Sequence, residues 1–112
     1  MKKIYISLPI KIDELTVSKR YKESINYIKG LKSLKDYEIV GPINIHEFTE
    51  HGIKTKREHD YAWYMGEDIK ELLRADAIFM STGWQKSEGC RCELETAKIY
   101  NKQIIYQHNY SN

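Results

Sequence analysis

Glu93 is the residue of this chain best placed to do chemistry. It follows an apolar run, Ala77-Ile78-Phe79-Met80, and a small polar loop from Ser81 to Gly89, and it falls in the predicted first turn of a helix. A helix N-terminus offers free N–H groups and a partial positive charge. A carboxylate held there stays ionised, which suits a nucleophile and equally suits a cap. Asp68 is the second candidate. It lies three and four residues from Met65 and Leu72, beside the apolar stripe of its own predicted helix, so it sits at a cleft rim or reaches out to solvent. Ser87 and Gly89 are small enough for backbone and a phosphate to approach closely, although a plain N-cap uses the same residue types.

Other polar residues invite weaker readings. Trp63 and Trp84 could each stack on a flat base or pack in the core. Cys90 and Cys92 could join His46, His51 and His59 around a metal. The C-x-C spacing lacks a second tight pair, so no metal is expected, and the cysteines read as helix-start residues with some thiolate character. Asp76, at a helix-to-strand junction, suits the backbone N–H groups of a turn.

The elements that must position these groups alternate along the chain. A strand is predicted over Lys3–Leu8, with Ile4, Ile6 and Leu8 on one face and Tyr5 and Ser7 on the other; Pro9 ends it. A helix follows over Ser18–Leu34, capped by Thr16 or Ser18, then a short strand over Tyr37–Val40. Residues 43–59 sustain no period and read as a long loop whose Ile43, Ile45, Phe48 and Ile53 pack over something. A second helix spans Asp60–Arg74, with Ala62, Met65, Ile69, Leu72 and Leu73 as its buried stripe. The third strand is Ala77–Ser81, the third helix about Gly89–Asn101, and the fourth strand Gln103–Tyr106. Such alternation calls for a parallel sheet with right-handed crossovers. The expected architecture is α/β, a flavodoxin-like three-layer αβα sandwich with a short sheet in the order 2-1-3-4.

At 112 residues, residues 1–112 are expected to form one domain. The net charge of +2 is too small to imply a nucleic-acid polymer or a membrane surface as partner. No apolar stretch approaches the roughly 20 residues of a transmembrane helix. Met1-Lys2-Lys3 leads straight into a strand without a signal-like apolar region, so a cytoplasmic location is expected. Walker, Rossmann and Ser-His-Asp patterns do not occur.

Together these residues resemble the nucleoside 2-deoxyribosyltransferase-like superfamily, which includes the deoxynucleoside 5'-monophosphate N-hydrolases and small bacterial and phage relatives. The resemblance rests on the opening KIYISLPI, on Asp68 spaced eight residues before Asp76, on Glu93-Leu94 with Ala97 following, and on Trp84, Ser87 and Gly89 in a W-x-x-S-x-G loop. It implies Glu93 as nucleophile on an N-glycosidic bond, Asp68 as a second acid, and Tyr5 as a strand-one site residue. It further implies Ser87, Gly89, Ser7, Lys11 and Trp84 as substrate contacts, no cofactor, and a small nucleoside or nucleotide as ligand. Where the hydrolases carry a glycine-rich loop after strand one, this chain has Leu8-Pro9-Ile10-Lys11, leaving Lys11 as the obvious phosphate cation. Only His108–Asn112 follow the last strand, so Trp63, Tyr64 and the segment from His108 to Tyr110 are expected to meet a second subunit in a homodimer or larger homo-oligomer. A non-catalytic nucleotide-binding module using the same pocket is the alternative. A receiver-like signalling domain ranks behind both, because Ser7-Leu8-Pro9 and Ser81-Thr82 lack the acids it needs.

Overall fold

β1 is the centre of the molecule, because its alternation serves two cores at once. The computed structural model describes residues 1–42, 45–49, 52–55 and 59–108, with backbone alone for 45–49 and 52–55. In chain order the elements are β1 (Lys3–Ser7), α1 (Glu14–Lys29), β2 (Glu38–Val40), β3 (Ile45–Thr49), β4 (Gly52–Thr55), α2 (Tyr61–Arg74), β5 (Ala77–Met80), α3 (Glu88–Ile99) and β6 (Gln103–Tyr106). Short 3-10 turns lie at Lys32–Leu34 and Trp84–Lys86. Four strands form one parallel sheet in the order β2-β1-β5-β6, the expected 2-1-3-4 arrangement.

Ile4, Ile6 and Leu8 join Ala77 and Phe79 against Val17, Tyr21 and Ile28 of α1. On the opposite face Tyr5, Ile78 and Met80 pack with Leu72 of α2 and with Cys90, Leu94 and Ala97 of α3. β1 and β5 are covered on both faces, as strands of a parallel sheet must be. Asp76 fixes where they meet: its Oδ2 accepts from the Lys3 N–H at 2.8 Å while its own N–H donates to the Lys3 carbonyl at 2.8 Å. Tyr5 then pairs with Ile78, and Ser7 with Met80.

The helices start on carboxylate or hydroxyl caps. Asp13 accepts from the Thr16 N–H, Asp60 from the Trp63 N–H, and Ser87 from the Cys90 N–H. α1 therefore begins earlier than the predicted Ser18, and Thr16 is a partner of the cap, not the cap. It also ends earlier than Leu34, because the chain turns at Gly30 into an extended Leu31 and a 3-10 turn. The buried line of α2 is Tyr64, Asp68 and Leu72, rotated from the expected stripe, with Ala62 and Leu73 exposed. Spacing of four residues places all three on one face. Residues 45–55, expected as loop, contain an antiparallel pair, β3 with β4, and β4 runs beside α1. Ile43 lies outside the described residues, as do the side chains of Ile45, Phe48 and Ile53. Among the described residues no helix is long and apolar enough to cross a membrane.

Replacing Asp76 by Ala removes the acceptor for the Lys3 N–H and is expected to lower stability by about 1 kcal/mol. A urea titration reads this as a lower midpoint with an unchanged slope.

Candidate active site

Each strand of the parallel sheet ends at the same cleft. Leu8–Ile12 follow β1, Pro42 follows β2, Thr82–Ser87 follow β5 and Gln107 follows β6, and all line a cavity of about 890 Å³. β1 leads to α1 on one face of the sheet and β5 leads to α3 on the other. The cleft therefore lies at the switch point, where α/β sheets bind their ligands.

Glu93 forms its inner wall. It is the sixth residue of α3, so it stands in the second turn, beyond the free N–H groups at which the sequence placed it. Its carboxylate turns back onto β1. Tyr5 Oη donates to Oε2 at 2.6 Å, and Ser7 Oγ donates to Oε1 at 2.6 Å. These are the short bonds of hydroxyls to a charged acceptor. Only 4% of Glu93 is exposed. Burial raises its pKa from an ordinary 4.5 to about 7, against the lowering effect of the Ser7 and Tyr5 bonds, and the charge of Asp68 adds to the rise. The expectation of a carboxylate held ionised by a helix terminus is thus corrected: desolvation dominates, and two hydroxyls restrain it.

Asp68 reaches the same cleft from α2 and is 6% exposed, which settles the choice between rim and solvent in favour of the cleft wall. Burial holds the Tyr5 hydroxyl well above its ordinary pKa, with Glu93 and Asp68 adding to the effect, so Tyr5 remains a donor. Cys90 is buried beside them. Its thiol is pushed up to about 11, chiefly by burial, so the thiolate character expected of it is absent. Cys92 is exposed. His59 stacks on Trp63 with ring centroids 3.8 Å apart. His46 and His51 lie outside the residues whose side chains are described. Among the described residues no three His, Cys, Asp or Glu side chains gather as metal ligands would.

The expected substrate contacts divide. Ser87, Gly89, Trp84 and Lys11 all line the cleft. Ser87 caps α3. Trp84 is half-buried with its ring 5.7 Å from that of Tyr106. Lys11 holds its Nζ 4.0 Å from the centroid of the Tyr61 ring, a cation–π contact across the cleft mouth. Gly89 matters through closeness, because a Cβ there would meet the Tyr61 hydroxyl at 3.3 Å. Ser7 is the exception: fully buried, it does not line the cleft, and its hydroxyl meets Glu93 instead.

The cleft also holds residues that the sequence did not assign to it: Arg20 from α1, Tyr61 and Lys86, together with His59, Tyr64 and Met65, which were expected in other roles. Lys11 is therefore not the sole cation facing it. Arg20 was not distinguished locally from the other basic residues of α1, although its spacing from Val17 and Ser24 sets it beside the buried line. Tyr64 had a signal in its four-residue spacing from Asp68.

Comparison with curated proteins and with solved structures finds no match. A family match covers residues 2–106 and so takes in the whole sheet, both carboxylates and the two hydroxyls that hold Glu93. The chain belongs to the family described as Domain of unknown function (DUF4406).

Proposed function

We propose that the protein cleaves or transfers the N-glycosidic bond of a (deoxy)nucleoside or nucleoside 5'-monophosphate, with Glu93 as nucleophile. The observation that carries this reading is a buried carboxylate fixed by two hydroxyls at the switch-point cleft, with a second buried acid, Asp68, on the same wall. A glutamate oxygen attacks the anomeric carbon as the bond to the base breaks, through an oxocarbenium-like transition state, giving a glycosyl ester. Asp68 takes the part of the second acid, beside the leaving base or the sugar hydroxyl. Water or an acceptor base then displaces the carboxylate, with net retention.

Tyr5 and Ser7 bear on both halves of this cycle. Before attack they stabilise the ionised nucleophile and fix its orientation. In the ester the oxygens carry less charge, so both bonds weaken, and they regain strength as the carboxylate departs. The donors thus favour the second step. Ser87 and the opening turn of α3 hold the 5' end of the substrate. Trp63 is exposed, as contact with a second subunit of a homodimer or larger homo-oligomer requires, whereas Tyr64 is buried at the cleft and Asn109 and Tyr110 lie outside the described residues. The exposed Tyr106 of edge strand β6, with Ile99 and Tyr100, adds further apolar surface for that contact. A non-catalytic nucleotide-binding module is the second reading. It draws on the same bonds, because a carboxylate engaged twice and half-protonated near neutrality is also a quiet structural group.

With deoxynucleoside 5'-monophosphates the protein is expected to release free base, and Glu93→Ala to lose that release by several orders of magnitude. Release without an added base marks a hydrolase; exchange only with an added base marks a transferase. Nucleotide binding with no release from any deoxy or ribo substrate sinks the catalytic reading in favour of the binding module.

The pH dependence follows from the carboxylate. A nucleophile must be ionised, so kcat/KM is expected to rise with pH through about 7. Tyr5→Phe removes a bond that favours the charged form and is expected to move that limb to higher pH. For stability the sign is opposite: a raised acid contributes fully below its unfolded value, and the contribution is lost as pH rises through about 7. Glu93→Gln should therefore melt with the native protein near pH 4 and above it at pH 8. At about 1.4 kcal/mol per pH unit the gap is on the order of 3 kcal/mol.

A further inference from the structure

Arg20 is a charged group in the cleft that the glycosidic chemistry does not use. It rises from α1, on the face of the sheet opposite Glu93, and lines the cleft beside Gly83. Its Nη1 stands 2.6 Å from the point where a Cβ on Gly83 would be. Gly83 has φ 86° in a turn closed by the Trp84 N–H on the Ser81 carbonyl, so strain and space both require glycine there.

The loop and the helix that carries Arg20 are bound together. The Ser24 and Ser81 hydroxyls lie 2.9 Å apart, and Ser24 Oγ donates to the Arg20 carbonyl at 2.8 Å. Gln107 Oε1 accepts from the Thr82 N–H at 3.3 Å. The backbone that carries Arg20 is thus tied to the loop that carries Gly83, and the residue is half-buried. Its charge reaches Asp13, but it has no ion-pair, hydrogen-bond or ring partner among the described residues. A guanidinium facing the cleft with its donors unengaged presents a planar fork that matches phosphoryl oxygens.

Its distance from Ser87 limits what it can hold. Gly83 and Ser87 are separated by the single 3-10 turn Trp84–Lys86. At about 2 Å rise per residue the two ends lie roughly 8 Å apart, a span that two phosphoryl groups in series fill. Lys11 and Lys86 line the same cleft, while its acids are Asp68, Glu88 and Glu93.

Building on the nucleotide reading of this cleft, we propose that Arg20 determines specificity by binding a second phosphoryl group, and that the ligand is a nucleoside 5'-diphosphate or a nucleotide joined through a pyrophosphate. Ser87 holds the first phosphoryl group and Arg20 the next. Glu93 faces the sugar.

Calorimetry in a Glu93→Gln background, which prevents turnover, tests this with deoxynucleoside 5'-mono- and diphosphates, inorganic phosphate and inorganic pyrophosphate. Diphosphate and pyrophosphate are expected to bind at least tenfold more tightly than their single-phosphate counterparts. Arg20→Gln should abolish that preference while leaving monophosphate affinity within twofold. Arg20→Lys should restore part of it. Equal affinity for one and two phosphoryl groups, a preference that survives Arg20→Gln, or no binding of any of the four overturns the assignment. Cleavage of monophosphates by the native protein, with no gain from a second phosphate, overturns it while leaving the glycosidic reading intact. Arg20-dependent binding of pyrophosphate by a protein that cleaves no nucleotide sustains the subsite and removes the glycosidic reading.

Discussion

The structure is organised around keeping one carboxylate out of water. Moving an ionised acid into a protein interior is among the costliest events in folding, and an isolated one would simply take up a proton. Glu93 is held between these outcomes by the hydroxyls of Tyr5 and Ser7, which can donate to it whether or not it carries a charge. Both hydroxyls come from β1, a strand covered on both faces by packed helices. The donors can neither relax away nor be replaced by solvent. Tyr5 and Cys90 share the same dry surroundings: each is raised chiefly by its own burial, and the charge of Glu93 adds to both.

Much of the fold was legible because the sheet uses a period of two. Ile4, Ile6 and Leu8 against Tyr5 and Ser7 marked both faces of β1, and the alternation of elements marked a parallel sheet. Helix ends were harder. Asp13, Thr16 and Ser18 are all good caps by type, and what decides among them is which oxygen reaches an N–H group, a matter of backbone geometry. The β3–β4 pair was missed because its residues show no sustained alternation to distinguish it from loop.

The site was partly legible for a related reason. Glu93, Asp68 and Tyr5 could be named because their spacing relates them to elements whose faces are readable. Their environment could not be. A helix-terminus argument made Glu93 ionised, whereas its place in the second turn removes the terminus and substitutes burial. The expected stripe of α2 left Asp68 at an edge, when the buried line runs through Asp68 itself. Arg20 shows the limit: it stands against Gly83, in a loop 63 positions later, a proximity that no local pattern in α1 records.

β1 carries chemistry and core on alternate residues, with nothing between them to absorb error. Deleting or inserting a single residue within Lys3–Ser7 would present isoleucine to Glu93 and turn tyrosine and serine into the apolar layer beneath α1. Stability and function would fail together, and no compensating change in the helices could recover one without the other. Point substitutions can explore this strand one face at a time; changes of length cannot. Changes of length can be borne only in the connections, where the spacing of hydroxyl and carboxylate is not at stake.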